Sequence, residues 1–412
     1  MEINKYIPKI RFHNYKELWK DDKLKNIFGT IRNAFVGTAT PYYVEKGNFY
    51  LESNNVKNGK INYNSQIFIN DEFYEKQRDK WLKTNDIVMV QSGHVGHTAV
   101  IPEELNNTAA HALIVFTDYN KEVNPYFLNY QFQSNGKRKE LDLISTGNTI
   151  KHILASEMKN FKMDFPTVDE QTDIGSLFST LDDLLASYKD NLTNYQSLKA
   201  TMLSKMFPKA GQTVPEIRLD GFEGEWEKGT IGEFGSFYYG KSAPKWSVTD
   251  EATTPCVRYG ELYTKFSTKI DKIYSYTSIP KENLKLSSGN EVLVPRVGEN
   301  PLDFANCSWL SLKDVAIGEM ISVYNTPNNP LFIAYYFNAK MKKEFAKRVE
   351  GGSVANLYYT YLENISISMP PHPEQQAIGA YFSNLDNLIN SHQEKISQLE
   401  TLKKKLLQDM FI

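Results

Sequence analysis

Apolar residues recur every seven positions in two long stretches of the chain. The first series is Ile174, Leu181, Tyr188, Tyr195 and Met202, and the second is Ile378, Leu385, His392, Leu399 and Leu406. This spacing predicts two α-helices that each pack against another helix. The first stripe is widened by Leu177, Phe178, Leu184, Leu185, Leu192, Leu198 and Met206. The simplest arrangement pairs the two helices with each other, and the alternative is one core helix in each of two separate domains.

Shorter patterns outside these helices predict two mixed α/β domains. Apolar runs bounded by turn residues predict strands in "NDIVMVQSG" (Asn85–Gly93) and "NEVLVPRVG" (Asn290–Gly298). An Asn cap followed by Pro at the first helical position predicts helices from "NPYFLNYQF" (Asn124–Phe132) and "NPLFIAYYF" (Asn329–Phe337). A final strand is predicted just before each long helix.

The chain contains an internal repeat. Glu170–Phe207 aligns without a gap on Glu374–Phe411 at an offset of 204, with 15 of 38 positions identical. Upstream, Ile7–Trp19 aligns on Val214–Trp226 at an offset of 207. The repeat predicts an α/β domain over residues 1–165, a helical region over 166–208, a second α/β domain over 209–369 and a second helical region over 370–412.

The stretch "GSFYYGKS" (Gly235–Ser242) matches the phosphate-loop pattern G-x-x-x-x-G-K-[ST]. Such a loop needs small residues, so that backbone N–H groups approach phosphates, and a helix that begins at the Ser or Thr. Here three aromatic residues fill the loop, and Pro244 falls in the first turn of that helix. The aligned Phe28–Val36 lacks the second Gly and the Lys. We therefore interpret the stretch as a turn that carries Tyr239 and Lys241 toward a polyanion.

The sequence offers no convincing catalytic or metal site. His94 and His97, with His111 further on, fit no standard zinc spacing. Cys256 and Cys307 lack paired spacing, so neither a disulfide framework nor a thiolate site is indicated. No nucleophile elbow or HExxH motif is present. We therefore expect a chain that is not an enzyme by itself.

Composition indicates an ordinary globular protein of 412 residues, 41% of them hydrophobic, with a formal net charge of -2. Nucleic-acid-binding domains are usually strongly basic, so DNA binding would need local basic patches or partners. The sequence has no signal segment and no run of about 18 apolar residues, which predicts a cytoplasmic protein without a membrane span.

Basic and aromatic residues recur at predicted turns. They include Lys76, Arg78, Lys80, Arg258, Tyr259 and Arg296. Arg reads guanine, and Asn or Gln reads adenine, in the major groove of DNA. Solvated helix faces produce the same distribution, so these residues alone do not decide between DNA binding and a plain surface.

Taken in order, several segments resemble the specificity subunit of type I restriction-modification systems. They are "VPEIRLDGFEGEW", "DIVMVQSGHVGHTAVI", "STGNTIKHI", "EGGSVANLY", and the helix starts "FPTVDEQ" and "MPPHPEQQAIG". The resemblance covers essentially the whole chain. The first half departs at "FHNYKELW", which replaces the usual Gly-Phe-x-Gly-x-Trp.

The resemblance implies an α/β fold with two similar target-recognition domains, separated by two long helices packed as an antiparallel coiled coil with pseudo-two-fold symmetry. Each domain would read one part of a split site in double-stranded DNA. The coil would set the gap, because about 57 Å of helix exceeds the roughly 34 Å of one duplex turn. Two methyltransferase subunits, which methylate adenine N6, and restriction subunits are the implied partners. S-adenosylmethionine, ATP and Mg would bind those partners, with no cofactor on this chain.

Carried over onto this sequence, the resemblance supplies candidate residues. For DNA contact, besides Tyr239, Lys241 and the basic and aromatic residues above, they are Gln91, Ser92, His94, Asn148, Lys151, Asn300, Ser353 and Asn356. For partner docking they are helix positions off the heptad stripe, namely Asp182, Asp183, Lys199, Asp386, Asn387 and Lys403.

Two other classes of function stay open at this point. A non-DNA adaptor would use paired domains to bring two proteins together, and methylation of a split DNA sequence in cells would distinguish it. An ATPase would rest on the phosphate-loop match alone, and nucleotide binding to the purified chain would test it.

Overall fold

The computed structural model describes residues 7–147, 151–241 and 243–412. The chain divides into two compact units. Unit 1 comprises Met1–Lys189 and Glu394–Ile412, and unit 2 comprises Asp190–Gln393. Both boundaries fall inside long helices, so each unit holds one α/β domain and a portion of both helices. The four segment bounds predicted from the repeat are not tested by this division and stay a prediction.

Unit 1 is built from short strands and helices ahead of its long helix. Its helices are α1 (Leu24–Ile27), α2 (Asp71–Glu75), α3 (Pro125–Gln133), α4 (Asn135–Ile144), α5 (Ala155–Met158) and the first part of α6 (Val168–Lys205). Its strands are β1 (Lys20–Lys23), β2 (Phe28–Asn33), β3 (Tyr43–Val44), β4 (Asn48–Leu51), β5 (Val56–Lys57), β6 (Lys60–Ile61), β7 (Ile67–Ile69), β8 (Ile87–Val90), β9 (Thr98–Val100), β10 (Ala109–Ala110), β11 (Leu113–Tyr119) and β12 (Lys162–Phe165).

Unit 2 repeats this plan. Its strands are β13 (Glu227–Thr230), β14 (Ser236–Tyr239), β15 (Thr254–Val257), β16 (Lys269–Ile270), β17 (Ser275–Thr277), β18 (Leu286–Ser288), β19 (Glu291–Pro295), β20 (Val297–Gly298), β21 (Ser308–Leu310), β22 (Lys313–Ile317), β23 (Ile321–Asn325), β24 (Glu350–Gly351), β25 (Ala355–Asn356) and β26 (Ser366–Met369). Its helices are α7 (Tyr259–Thr264), α8 (Pro330–Lys340), α9 (Lys342–Ala346) and the first part of α10 (His372–Asp409).

One antiparallel sheet recurs in both units. Its strand order is β2-β11-β8-β9 in unit 1 and β14-β23-β19-β21 in unit 2, where β16 is added parallel to β21. The first strand of each domain pairs antiparallel with the last, β1 with β12 and β13 with β26. Because the last strand leads into the long helix, this pairing brings the start of the domain beside the start of that helix. The strands predicted from the apolar runs are confirmed.

The repeated Glu at each long-helix start forms a buried ion pair. Arg11 donates two hydrogen bonds of 2.7 Å to Glu170, and Arg218 donates bonds of 2.8 and 2.6 Å to Glu374. Both carboxylates are fully buried. Planar guanidinium and carboxylate groups match in this bidentate geometry. The opening segment of each domain is therefore tied to its own helix.

The Gln that follows each of these Glu residues joins the helix to the domain. The Gln171 side chain donates to Pro166 O at 3.0 Å and accepts from the Asn124 N–H at 3.0 Å. Asn124 in turn caps α3 by accepting from the Phe127 N–H. Gln375, Asn329 and α8 repeat the arrangement. The predicted Asn-Pro helix starts are confirmed.

Within unit 1, α6 and α10 run antiparallel. The rings of Phe178 and Phe411 are stacked 5.7 Å apart, and Lys189 bonds to Glu400 at 2.7 Å. Residues later in α6 thus contact residues earlier in α10, which shows that the two helices run in opposite directions. Phe411 also contacts Trp19 of the α/β domain, with ring centroids 6.4 Å apart.

Unit 2 shows the same antiparallel pairing. Tyr195 lies against His392, with ring centroids 5.1 Å apart, and Phe207 stacks on Phe382 at 5.8 Å. Both long helices have the predicted length of 38 residues. The prediction of an antiparallel helix pair is confirmed. The alternative, in which each helix is the core helix of a separate domain, is wrong. One detail was wrong, because Leu184 and Leu198 do not widen the buried stripe and are exposed.

Among the described residues, no helix has a stretch long and apolar enough to cross a membrane.

Candidate nucleic-acid interface

In unit 1, the turn after β8 is held by the segment that precedes β12. The Ile153 N–H donates to Gln91 O at 2.9 Å. Ser92 pairs antiparallel with His152, which also pairs with Thr146. The predicted contact turn and the predicted contact segment, some sixty residues apart in the chain, are thus brought together. We call this arrangement, residues 91–93, 146 and 151–153, the unit 1 clasp.

Unit 2 has the same arrangement in extended form. The Leu357 N–H donates to Arg296 O at 2.8 Å. In the three-stranded sheet β20-β25-β24, Asn356 pairs with both Val297 and Glu350. We call residues 296–298, 350–351 and 355–357 the unit 2 clasp.

The two clasps match position by position. Arg296 is 205 residues beyond Gln91, and Asn356 is 204 residues beyond His152. The backbone pairings are the same, yet the side chains differ in size and charge. A common frame therefore presents two different chemical surfaces.

The Arg296 side chain is wedged between aromatic rings. Its guanidinium carbon lies 4.4 Å from the ring centroid of Tyr239 and 5.5 Å from that of Tyr358. Its Nε is buried and has no hydrogen-bond partner within the described ranges. Burial raises the pKa of Tyr239, and the Arg296 charge opposes that shift. The rings restrict the guanidinium before any ligand arrives.

Predicted contact residues of unit 2 converge on a cleft beside its clasp. Two cavities of about 330 and 240 Å³ share Tyr259 and Val297 in their walls. Asn300 lines the larger cavity, and Arg258 and Lys245 line the smaller one. We call these two cavities the unit 2 cleft.

Other predicted residues of unit 2 lie on or near these elements. Asn356 is half-buried within the clasp, and Ser353 is exposed at the tip of the turn that joins β24 to β25. Asn300 begins a short 3₁₀ helix, where its side chain accepts from the Leu302 N–H at 3.2 Å. Arg258 precedes α7, and its N–H donates to Glu261 at 2.9 Å.

The prediction that Tyr239 lies on a turn was wrong. The segment Ser236–Tyr239 is strand β14, paired antiparallel with β23. Its aromatic residues favour the extended conformation. The Tyr239 ring also contacts the Tyr359 ring, with centroids 4.6 Å apart. Lys241 follows the strand and is exposed. An extended strand does not curl its N–H groups around a phosphate, so the structure gives the phosphate-loop match no support.

The remaining unit 1 candidates are spread over its surface. Lys76, Arg78 and Lys80 are exposed at and after the end of α2, where Arg78 pairs with Glu75 and lies 5.3 Å from the centroid of the Trp81 ring. Among the described side chains, no hydrogen bond or ion pair connects these three residues to the unit 1 clasp.

The unit 1 clasp has charged neighbours. Lys151 pairs with Asp142 at 2.8 Å, and His94 is exposed with its ring 6.2 Å from that of His97. Burial, with positive charge from Arg138, lowers the pKa of His97, which favours the neutral imidazole. Asn148 lies outside the described residues.

The partner-docking candidates fall into two groups. Asp183 and Asn387 are exposed on the helices. Of the other four, Asp182 is buried, and Lys199, Asp386 and Lys403 are half-buried. Lys403 donates to Asp182 at 2.6 Å, and Tyr130 donates to the same carboxylate at 2.9 Å. These four are off the heptad stripe as predicted, but the α/β domain packs against them through Tyr130 and Tyr335, and their role in docking stays a prediction.

Unit 2 contains the equivalent cluster. Asp386 accepts from Tyr335 at 2.7 Å and from Lys199. The Lys199 ammonium also lies 5.7 Å from the centroid of the Tyr335 ring. In each unit, one carboxylate thus joins a domain tyrosine and the lysine of the facing helix.

Sequence reasoning missed the exposure of four leucines on the two long helices. Unit 1 exposes Leu184 by 43% and Leu402 by 44%, and unit 2 exposes Leu198 by 38% and Leu388 by 41%. Leu388 is 204 residues beyond Leu184, and Leu402 is 204 residues beyond Leu198. The repeat was the available signal, because each leucine recurs at its own equivalent position. We call each pair an exposed leucine pair.

No group of three His, Cys, Asp or Glu side chains suited to a metal ion occurs within the described part of the chain.

These features coincide with a known family. The model of the type I restriction modification DNA specificity domain matches residues 17–194 and 223–401. The chain therefore belongs to the type I restriction-modification specificity family and carries two target-recognition domains.

Individual relatives match nearly all of the chain or about half of it. The putative type I restriction enzyme MjaX specificity subunit of Methanocaldococcus jannaschii is 23% identical over 412 residues, which covers 95% of this chain and 92% of the relative. The EcoBI specificity subunit of Escherichia coli is 24% identical over 208 residues, 48% of this chain and 44% of the relative.

Solved structures share the fold. The S subunit of a type I restriction-modification system from M. genitalium superposes with a TM-score of 0.62 at 15% identity, covering 98% of this chain and 99% of that one. A chain from work on complex assembly and conformational transition of the type I R-M system gives a TM-score of 0.51 at 16% identity, covering 96% and 98%. At these identities the likeness concerns the fold alone.

Proposed function

We propose that each unit of this chain reads one half of a bipartite site in double-stranded DNA. The observation that carries the proposal is the pair of clasps, which have equivalent backbone pairing and different side chains. Reading two different half-sites with duplicated domains requires this combination of a constant frame and variable groups. The net charge of -2 fits a complex in which partners supply part of the phosphate contact.

The side chains of the clasps are suited to base edges. Arg donates two bonds to guanine O6 and N7, and Gln makes a bidentate pair with adenine. Arg296 is held between rings, so little conformational freedom is lost when it binds. We assign Arg296 to direct base contact in the half-site of unit 2 and Gln91 to the half-site of unit 1. Ser92, Asn300, Ser353 and Asn356 are secondary candidates on the same surfaces.

The paired helices act as the spacer in this proposal. Each has 38 residues, or about 57 Å at 1.5 Å per residue. That length exceeds the roughly 34 Å of one duplex turn. The helices thus suit a site whose halves lie on successive turns, with an unread gap between them.

The exposed leucine pairs are our proposed docking points for two methyltransferase subunits. Contiguous exposed apolar surface marks partner contacts, and the cores of interfaces are depleted in charged residues. The neighbouring Asp183 and Asn387 are retained as rim residues. The docked subunits would bind S-adenosylmethionine and methylate adenine N6, and restriction subunits would bring ATP and Mg. This chain would contribute specificity and no catalytic group.

Long-read methylation sequencing tests the proposal. A plasmid is recovered from cells that express this chain together with its neighbouring methyltransferase gene, and a control plasmid from cells with the methyltransferase alone. A split motif with N6-methyladenine on both strands, present only with this chain, supports the proposal. Absence of any motif, with both proteins soluble and associated, would favour the non-DNA adaptor.

A further inference from the structure

Among the residues that the structure describes, Trp246 is the one strongly exposed tryptophan, with 74% of its surface accessible. Of the other four, Trp19 and Trp226 are buried, and Trp81 and Trp309 are half-buried. Tryptophan is highly buried on average, and an exposed indole gains much when a ligand covers it. Neither the motifs nor the proposed base contacts account for this ring.

The backbone beneath Trp246 is firmly held. The ring projects from the 3₁₀ helix Lys245–Ser247. Ser247 is fully buried, and its hydroxyl lies 2.8 Å from both Pro244 O and the Thr277 hydroxyl. The Ser278 N–H donates to Ser247 O at 2.8 Å. The exposed ring therefore stands on a rigid base and not on a loose loop.

Cations surround this turn. Lys245 lines the unit 2 cleft with Arg258, and Lys241 lies four residues before it. Within the described ranges, none of these three side chains has an ion-pair partner. One exposed carboxylate, Glu319, also lines this part of the cleft. The side chains that line this smaller cavity include two cations and one carboxylate, which suits a polyanion, while Asp250 and Glu251 follow Trp246 in the chain.

Unit 1 has the same turn without these groups. The 3₁₀ helix Thr40–Tyr42 is closed by the Tyr42 N–H donating to Ala39 O at 2.9 Å, and the Ser247 N–H donates to Pro244 O at the same distance. Thr40 and Pro41 occupy the positions of Lys245 and Trp246, at an offset of 205. The turn belongs to the shared frame, and its ring and cation are specific to unit 2.

We propose that Lys245 and Trp246 form a backbone anchor for the DNA half-site of unit 2, an anchor that unit 1 lacks. The indole packs on a deoxyribose of the strand that enters the cleft, and the Lys245 ammonium pairs with the adjoining phosphate. Contacts to sugar and phosphate fix orientation and carry no sequence information. The anchor therefore increases affinity without changing the recognised motif. This inference rests on the proposed function.

The test uses the full chain in complex with its methyltransferase subunits and a duplex that carries the methylated motif. Trp246→Ala is expected to weaken binding at least about fivefold, as truncation of an interfacial tryptophan does. Lys245→Ala is expected to reduce the slope of log K against log salt by about 0.9, the value for one phosphate contact. Thr40→Ala is the matched control in unit 1, with both quantities unchanged. Methylation sequencing of every variant should return the parent motif.

A second readout follows the ring itself. In the parent complex, acrylamide should quench Trp246 fluorescence, and motif DNA should remove that component. Trp246→Phe identifies the component, and unchanged thermal unfolding shows that each variant is folded. Parent-like affinity of Trp246→Ala, an unchanged salt slope in Lys245→Ala, or a changed motif would each overturn the anchor while leaving the proposed function intact. Failure of the parent complex to bind any motif would reject the proposed function and the anchor with it.

Discussion

The guanidinium carbon of Arg296 lies 4.4 Å from the ring centroid of Tyr239. The two residues are on neighbouring parts of unit 2, since Tyr239 ends β14 and Arg296 joins β19 to the clasp strand β20. We therefore propose that Tyr239, which was predicted as a DNA contact, positions the Arg296 side chain. In this role the ring restricts the Arg296 guanidinium and needs no contact of its own with DNA.

Tyr239→Leu should therefore loosen Arg296 without removing it. We expect binding to motif DNA to weaken by about 0.5–2 kcal/mol, the range of a cation–π contact. The preference at the position read by Arg296 should broaden less than in Arg296→Ala. Tyr239→Phe keeps the ring face and is the matched control. Binding titrations with single-base variants of the duplex measure both effects. An equal loss of affinity in Tyr239→Leu and Tyr239→Phe would contradict a role for the ring face.

Asp182 should contribute more to stability than an exposed ion pair does. It is 6% exposed and accepts bonds from both Lys403 and Tyr130. Asp182→Ala leaves these groups unpaired, so we expect a loss of about 2–4 kcal/mol in unfolding free energy. The exposed pair Lys189–Glu400 is the control, expected to give about 0.2–1 kcal/mol. Double-mutant cycles in urea unfolding measure both couplings, and equal values would contradict this interpretation.

Glu374→Gln should destabilise unit 2 selectively. Glu374 is fully buried and pairs with both ends of the Arg218 fork, so the variant leaves a desolvated guanidinium without its counter-charge. A loss of about 3–5 kcal/mol is expected. Hydrogen exchange should accelerate across the domain of unit 2 and not across that of unit 1. Glu170→Gln provides the mirror-image control, with the two patterns exchanged.

The His111–Glu52 pair predicts a pH-dependent contribution to stability in unit 1. The bond to Glu52 raises the pKa of His111 above 6.5, and the bond to His111 lowers the pKa of Glu52 below 4.5. The histidine contribution is complete below its unfolded pKa and is lost as pH rises through the folded pKa. The glutamate contribution is present above its unfolded pKa and is lost as pH falls through the folded pKa.

The pair therefore stabilises unit 1 most between the unfolded-state pKa of Glu52 and that of His111, at about pH 5 to 6. His111→Gln should reduce unfolding free energy there by about 0.5–1.5 kcal/mol and have a smaller effect at about pH 8.5. Urea unfolding at the two pH values measures the difference. A larger loss of stability at about pH 8.5 than at about pH 5 to 6 would show the opposite pH dependence and would contradict a stabilising His111–Glu52 pair.

An exposed leucine pair should dock one partner subunit. Leu184→Asp combined with Leu402→Asp places charge on an apolar contact of unit 1, and we expect the complex to retain a single methyltransferase subunit. Ala186→Asp adds the same charge at an exposed position on another face of the same helix and should leave two bound. Native mass spectrometry counts the subunits. Two subunits in the double variant would remove these leucines from the interface.

Much of the fold could be predicted because its signals are local. The heptad stripes predicted both long helices, and the Asn-Pro pairs predicted the starts of α3 and α8. Local patterns did not predict the clasps, because backbone bonds such as Ile153 to Gln91 join distant segments. The repeat aligned the two halves but did not indicate what either half contacts.

The predicted docking residues show a second limit of prediction from sequence. Asp182 lies one position after Leu181 of the heptad series, which would expose it in a helix pair alone. The α/β domain covers that position and supplies Tyr130 to the carboxylate. A pattern along one helix carries no information about a third element. Trp246 was missed for the related reason that exposure of a tryptophan is a tertiary property.

The most direct test compares the methylation motifs of two single variants in the two clasps, Gln91→Ala and Arg296→Ala, with that of the parent. Each variant is expressed with the methyltransferase, and plasmid methylation is read by long-read sequencing. We expect Arg296→Ala to relax one half of the split motif and Gln91→Ala to relax the other, with a constant gap length. An unchanged motif in both variants, or relaxation of the same half by both, would contradict the assignment of one clasp to each half-site.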